Sequence, residues 1–190
     1  MKKIKITFPD NSFIEAENEI RPILFLEKFN AQNKKIVAVK VNNEICSLDS
    51  PVNITSSIEP VFSDSKDGSA IYRRSLCFVL AAAAHKIFPG KRLLVGHSLG
   101  YGYYYTLELG EPLTKENILK LKNEMEQIVK DDKIIETDFI SYSEACSLFE
   151  ELGLTETRKQ LNYRCPSRVQ INRLEGFSDL YFGPLVGTTG

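Results

Sequence analysis

The feature that most constrains the fold is a rapid succession of strand and turn patterns in the first 62 residues. Lys3-Ile4-Lys5-Ile6-Thr7-Phe8 alternates polar and apolar residues, which is the two-residue period of a half-buried strand. Pro9-Asp10-Asn11-Ser12 has turn composition, and residues 12–16 can form the returning strand. A second hairpin is indicated at Asn42-Asn43, because asparagine tolerates the positive φ angles of a two-residue turn.

One helical segment interrupts these strands. Pro22 stands near the start of a short apolar stretch that ends at Phe29, and proline suits the first turn of a helix. Residues 36–41 are rich in β-branched side chains, and residues 58–62 are the last predicted strand. The order strand, strand, helix, strand, strand, strand predicts a β-grasp domain over residues 1–62.

A polar stretch, residues 63–69, is interpreted as a linker between two domains. Residues 70–190 then alternate helical and strand patterns, which predicts an α+β domain. Its first helix carries an apolar stripe and ends at Pro89-Gly90; the stripe consists of Tyr72, Leu76, Val79, Leu80, Ala83 and Ile87. Further helices are expected after the N-cap residues Thr114 and Ser141, and strands at 93–95, 103–109, 133–140, 168–174 and 179–182.

Charge and composition exclude several classes of protein. The net charge is −1 and the pI about 6.2, which argues against a dedicated nucleic-acid-binding domain, although residues 65–104 carry 6 basic and 1 acidic side chains. The four cysteines show no C-x-x-C spacing, so free thiols are expected and no metal site is predicted. The charged start is followed by Pro9-Asp10-Asn11 in place of the apolar core of a signal peptide, so a cytoplasmic protein without membrane or DNA partners is expected.

Two motifs imitate catalytic sites but fail on chemistry. Gly96-His97-Ser98-Leu99-Gly100 matches the G-x-S-x-G nucleophile elbow of α/β-hydrolases. The required base is a histidine later in the chain, and none follows His97. Gly90-Lys91-Arg92 lacks the upstream glycine and the Ser/Thr of a phosphate-binding loop, so no ATP site is expected within these residues.

Two regions remain as binding candidates. His97, expected in a loop, is followed by Tyr101, Tyr103, Tyr104 and Tyr105, which are either core residues or a stacking surface for a base. Residues 157–174 contain no acidic side chain and form either an anion- or RNA-binding surface or a solvated face. The basic residues of this second region are Arg158, Lys159, Arg164, Arg168 and Arg173.

Residues 1–62 resemble a TGS domain, the ubiquitin-like β-grasp module of threonyl-tRNA synthetase and some GTPases. The likeness is carried by the segments Ile4–Ser12 and Val39–Glu44. Residues 70–190 resemble the second additional, editing-type domain of the same synthetase. That likeness is carried by Arg73-Arg74-Ser75, Phe88-Pro89, Gly96, Gly102-Tyr103-Tyr104-Tyr105, Leu113-Thr114 and Gly183-Pro184.

The synthetase's editing site uses an H-x-x-x-H pair and a C-x-x-x-H pair, and neither is retained. Alignment on Gly102-Tyr103-Tyr104 places the first pair at Arg74 and Phe78, and alignment on Gly183-Pro184 places the second at Tyr181 and Leu185. The resemblance therefore implies a persistent cleft without catalytic residues. The predicted cleft residues are Arg74, Phe78, His97, Ser98, Tyr103, Tyr104 and Tyr181.

The loss of these ligands is similar to that in bacterial uridine kinase-like nucleoside kinases, where a TGS and editing-like region precedes a P-loop kinase domain. This resemblance implies a non-catalytic binding or regulatory region whose ATP and Mg²⁺ belong to a downstream kinase domain. Its partners would be that domain and a nucleoside, nucleotide or tRNA. The alternatives are aminoacyl-tRNA deacylation with substituted groups such as His97 and Tyr181, an RNA-binding module, or a structural spacer.

Overall fold

A computed structural model describes residues 3–29, 34–100 and 102–190, with the side chain of Arg164 left out. Tyr101 therefore lies outside the described residues. The protein is mixed α+β, as the sequence predicts. Among the described residues, no helix has the length and apolar character needed to cross a bilayer.

The chain divides into two compact units. Met1–Leu76 and Tyr181–Thr188 form the first unit, and Cys77–Leu180 with Thr189–Gly190 form the second. These limits differ from the boundaries expected from the sequence, because the first unit includes a segment from far along the chain. The division into domains at 1–62, 63–69 and 70–190 stays a prediction.

The first unit contains a five-stranded mixed sheet with the β-grasp order β2-β1-β5-β3-β4. β1 runs parallel to β5, and the other neighbours are antiparallel. The elements are β1 Lys3–Thr7, β2 Phe13–Glu17, a 3₁₀ helix Pro22–Lys28, β3 Ile36–Val41, β4 Glu44–Cys46 and β5 Ser56–Phe62.

The core of this sheet lies beneath the 3₁₀ helix. Phe8 makes edge-to-face contacts with Phe25 and Phe29, with ring centroids 5.6 Å apart in both pairs. Asn42 and Asn43 have φ angles of 49° and 72°, which confirms the predicted hairpin turn. The alternation in the sequence therefore located both the strands and their buried face.

The helix α1, Lys66–Ile87, begins inside the stretch predicted as a linker. Ser65 Oγ accepts a hydrogen bond from the Gly68 amide at 3.0 Å, which satisfies a donor of the first turn. Gly68 packs directly on the backbone of Phe62, where a Cβ would lie 1.9 Å from the carbonyl oxygen. Residues 66–69 are therefore helical, because Ser65 caps the first turn and Gly68 lets that turn pack closely on Phe62.

The buried face of α1 matches the predicted stripe in part, since Val79 and Ala83 are buried. Tyr72 is 53% exposed and Leu76 is 37% exposed, whereas Ile71, Ser75 and Phe78 are buried. In the first unit, Ile71 packs in a cluster with Val37, Ala38 and Val61. The buried face therefore also includes Ser75, a small polar residue that an apolar stripe does not reveal.

The second unit contains a three-stranded antiparallel sheet, β10-β9-β8, and a separate two-stranded hairpin, β6–β7. Helices α3 and α4 share a core with β9, centred on Phe149 and Ile171. The elements are β6 Arg92–Leu99, β7 Gly102–Glu108, α2 Lys115–Lys130, β8 Glu136–Ser141, α3 Tyr142–Glu151, α4 Thr155–Arg164, β9 Arg168–Leu174 and β10 Phe177–Asp179.

Local sequence signals set several limits in this unit. Thr114 caps α2, and Ser141 with Glu144 forms the predicted capping box of α3. The strand predicted at 179–182 is wrong, since β10 ends at Asp179 and pairs with β9 directly after the turn at Glu175-Gly176. Helix α4 was not predicted, and all four cysteines are free, as expected.

Candidate functional site

Arg74 and Tyr181 lie in the first unit, where residues 181–188 are fastened to α1. Arg74 Nη1 donates a hydrogen bond to the Pro184 carbonyl at 2.8 Å. Its guanidinium covers Gly183, where a Cβ would lie 2.9 Å from Nη1 and where φ is +104°. A side chain at this position would meet both backbone strain and the arginine.

A second contact fastens the same segment one residue further along α1. Ser75 Oγ donates to the Ile71 carbonyl and accepts from the Val186 amide, each at 2.9 Å. Leu185, between the two fastened residues, is only 2% exposed. The positions aligned with the editing ligands thus include a guanidinium bound to a carbonyl and a buried aliphatic side chain.

A third aligned position, Phe78, lies in the second unit and is fully buried. Its ring centroid is 5.5 Å from that of Phe177. Phenylalanine, leucine and a permanently charged arginine supply no acceptor that could activate water or bind a metal. Within the described parts of the chain, no group of three or more His, Cys, Asp or Glu residues could hold a metal ion.

The hairpin β6–β7 carries the remaining predicted cleft residues. His97 was expected in a loop but lies in β6, at an irregularity between Val95 and Ser98 that breaks the strand register. Its ring stacks on Tyr104, with centroids 5.6 Å apart and an interplanar angle of 16°. Ser98 pairs with Tyr103 across the hairpin, so the structure brings together these four residues.

Tyr105 has a distinct environment on the same hairpin. Its hydroxyl is buried without a hydrogen-bond partner among the described residues. Burial, with a further contribution from the nearby Cys77 thiol, raises the pKa of Tyr105 well above its usual value. Sequence reasoning included Tyr105 in the aromatic cluster without separating it from its exposed neighbours, and the burial of its hydroxyl distinguishes it.

A cavity of about 140 Å³ lies inside the second unit. It is lined by α1, the start of β6, the α3–α4 connection and β10, including Ala81, His85, Thr157 and Asp179. Asp179 Oδ1 accepts hydrogen bonds from Thr157 Oγ1 at 3.0 Å and from the Leu180 amide at 2.7 Å. This arrangement places a carboxyl group at the wall of a small cavity.

Burial raises the pKa of Asp179, although both hydrogen bonds act in the opposite direction. A carboxyl group that takes up a proton can donate as well as accept a hydrogen bond. Sequence reasoning missed Asp179 and Thr157 as a pair, because they lie 22 residues apart, one in β10 and the other in α4.

Ion pairs with carboxylates neutralise part of the positive charge of the predicted anion-binding surface. Three of them have carboxylate partners that lie outside residues 157–174: Arg158 with Glu150 at 3.0 Å, Lys159 with Glu156 at 3.1 Å and Arg173 with Asp138 at 3.8 Å. Arg168 lies over the Phe139 ring at 5.0 Å. The side chain of Arg164 lies outside the described part, and the surface stays a prediction.

Comparison with known proteins finds similarity to one group of enzymes, although no family model matches the chain. The chain is 28% identical over 184 residues to the threonine–tRNA ligase of Oleidesulfovibrio alaskensis, which is 95% of the chain and 29% of the ligase. It is 28% identical over 190 residues to that of Clostridioides difficile, covering 98% of the chain and 29% of the ligase. For the ligase of Lawsonia intracellularis the identity is 31% over 159 residues, which is 83% of the chain and 25% of the ligase.

The chain thus spans less than a third of the length of these relatives. The similarity covers both units and confirms the resemblance to a threonyl-tRNA synthetase-like region. It supports the tRNA-related alternative better than the regulatory region of a nucleoside kinase, which stays a prediction.

Proposed function

We propose that this chain is a tRNA-related binding region that resembles the TGS and editing-like part of a threonyl-tRNA synthetase. The observation that carries the proposal is one collinear similarity to threonine–tRNA ligases over nearly the whole chain. The β-grasp order of the first unit supports the same assignment. By this proposal the region acts in the cytoplasm and takes tRNA as its partner.

The binding is proposed to occur without hydrolysis of the bound RNA ester. Arg74 is bound to the Pro184 carbonyl, and Leu185 and Phe78 are buried, so these three aligned positions offer no general base. The fourth, Tyr181, is one of the groups on which the hydrolytic alternative relies. The predicted cleft residues Tyr103, Tyr104 and His97 remain as contact groups. No cofactor is proposed for this region.

The test is fluorescence anisotropy of the protein with labelled tRNA(Thr), together with a deacylation assay on Ser-tRNA(Thr). We expect saturable binding that weakens as salt increases, because phosphate contacts release counterions. We expect deacylation equal to that of a no-protein control. Lack of binding to any RNA would contradict the proposal, and deacylation that is lost in His97→Ala would replace it with the hydrolytic alternative.

A second candidate is the regulatory region of a uridine kinase-like nucleoside kinase. It is favoured by the motif versions Arg73–Phe78, Gly96–Tyr104 and Tyr181–Val186, which resemble that branch. In this case ATP and Mg²⁺ would act in a downstream kinase domain. Calorimetric titration with uridine and with nucleotides separates the candidates, since binding of either without binding of tRNA would favour the kinase.

A further inference from the structure

We propose that Cys146 and Cys165 form a dithiol pair that exchanges with small disulfides and closes to a disulfide between α3 and the end of α4. This chemistry is separate from the proposed tRNA binding, so neither depends on the other. It requires two thiols beside one another, one of them open to solvent, and a backbone that lets the two sulfur atoms meet.

Tyr142 connects the surroundings of the two cysteines. It lies one turn before Cys146 on α3, and both side chains pack in the core that α3 and α4 share. The Tyr142 hydroxyl also reaches α4, where it donates a hydrogen bond to Asn162 Oδ1 at 3.4 Å. The Cys165 thiol donates to the backbone carbonyl of the same asparagine at 3.8 Å. Both cysteines therefore lie next to the same contact between a tyrosine and an asparagine.

The electrostatic environment agrees with this placement. Interaction with the Cys165 thiol, followed by burial and interaction with the Cys146 thiol, raises the pKa of Tyr142. A hydroxyl that both thiols affect must lie close to each of them. The hydrogen bond to Glu150 raises the pKa of Arg158, with smaller contributions from Cys146 and Tyr142. The guanidinium therefore stays positive near the pair, where an attacking thiolate carries negative charge.

The two cysteines differ in their access to solvent, which assigns them separate roles. Cys165 is exposed, whereas Cys146 is only 9% exposed. Cys165 also lies between the end of α4 and the start of β9, with φ of 33° and ψ of 49°. A disulfide requires Cα atoms within about 7 Å of each other, and a residue between two elements can shift without breaking a strand pair. Cys165 is therefore the thiol that a small disulfide reaches first.

The exchange proceeds in two balanced steps, written here for oxidised glutathione as the small disulfide. The Cys165 thiolate attacks one sulfur of oxidised glutathione, the S–S bond of that molecule breaks, and one glutathione thiolate leaves and takes up a proton. The Cys146 thiol loses its proton and attacks the Cys165 sulfur, and the second glutathione leaves as a thiolate that takes up a proton. The two cysteines are thereby oxidised, and one oxidised glutathione is reduced to two thiols.

The disulfide would constrain the wall of the cavity described above. The loop that it closes contains α4 and residues 152–154, which connect α3 to α4. These three residues line the cavity of about 140 Å³. Because a crosslink restricts the chain between its two ends, hydrogen exchange of residues 152–154 should slow in the oxidised protein.

The test equilibrates the protein in mixtures of reduced and oxidised glutathione, followed by alkylation and mass spectrometry. The wild type should pass from four alkylated thiols to two as oxidised glutathione increases, with a crosslink that maps to Cys146 and Cys165. At a fixed concentration of oxidised glutathione, the ratio of disulfide to dithiol should fall as the square of reduced glutathione, because each bond releases two thiols.

Four variants separate the roles of the cysteines. Cys165→Ser removes the exposed thiol and should abolish the crosslink, whereas Cys146→Ala should trap one glutathione on Cys165. Cys46→Ser and Cys77→Ser are the matched controls, since both residues are partly buried, and both variants should still form the crosslink. Thermal melts verify that each variant folds, and Cys165→Ser keeps the test decisive if Cys146→Ala does not fold.

The outcomes separate this inference from the proposed function. The mapped crosslink in the wild type and both controls, with dependence on the square of reduced glutathione, supports the dithiol pair. Four alkylated thiols at every glutathione ratio, a crosslink that survives Cys165→Ser, or crosslinks only between two molecules on a non-reducing gel would each overturn it. Unchanged hydrogen exchange at residues 152–154 overturns the effect on the cavity wall alone. Failure to bind tRNA contradicts the proposed function and leaves the dithiol pair in place.

Discussion

Replacing Ser75 with alanine should release the segment 181–188 from α1. Ser75 is 3% exposed, and its hydroxyl accepts the Val186 amide hydrogen at 2.9 Å. The variant leaves that amide without its partner. The Ile71 carbonyl, which the same hydroxyl also contacts, is expected to keep its helical hydrogen bond from the backbone of residue 75.

The expected loss of stability follows from the cost of leaving a buried amide without a hydrogen-bond acceptor. A hydrogen-bonded amide that loses its partner costs about 1–3 kcal/mol, more than the net value of an ordinary hydrogen bond. This free energy corresponds to roughly a 5- to 150-fold change in an opening equilibrium. The effect should be concentrated at Val186 and its neighbours, because the rest of the buried face is unchanged.

Native-state hydrogen exchange measured by NMR is the appropriate assay, since it reports opening at single amides. The Val186 amide should exchange faster in Ser75→Ala by the factor given above. Ser69→Ala, on the same helix but only partly buried, is the matched control and should alter stability by less than about 0.5 kcal/mol. Unchanged exchange at Val186 in Ser75→Ala would refute this reasoning.

Three further changes test other parts of the structure. Gly183→Ala should destabilise the folded state by more than about 1 kcal/mol, since φ is +104° and the new Cβ meets Arg74. The melting temperature should therefore fall, and an unchanged melt would contradict this prediction. Because burial raises the pKa of Asp179, the folded state binds that proton more tightly than the unfolded state, so wild-type stability falls as pH rises through the raised value. Asp179→Asn should therefore lose less stability than the wild type between about pH 4 and about pH 7 in urea unfolding, and parallel losses would argue against the shift. Ser141→Ala removes the hydroxyl that accepts from the Glu144 amide and should cost about 1 kcal/mol in the same assay, with a cost near zero as the opposing result.

Much of the fold could be predicted because its determinants are local. The alternation in Lys3–Thr7, the turn at Asn42-Asn43 and the cap at Ser141 each act over a few residues. Helix α4 escaped prediction because its start at Leu154 has no side-chain cap and its residues lack a clear apolar stripe. Helix α1 begins at Lys66, inside the polar stretch 63–69, and composition did not show this because cap residues and linker residues are of the same types.

The candidate site was only partly predictable because its contacts join distant parts of the chain. Sequence placed His97 and Tyr104 in one binding group, and the structure stacks them. It also grouped the basic residues of 157–174 by their lack of nearby acids, yet Arg158 is paired with Glu150 from the preceding helix. The sequence shows which basic side chains are near one another along the chain. Whether their charge is neutralised depends on which helices pack together in the fold.

The first unit is completed by residues 181–188, which the ribosome makes only after all of residues 77–180. During synthesis, Ser75 and Arg74 must therefore wait for Val186 and Pro184 to emerge. A nascent chain arrested between the two units would expose this part of α1 to chaperones and proteases. The last contacts of the first unit therefore form only after the whole of residues 77–180 has been translated.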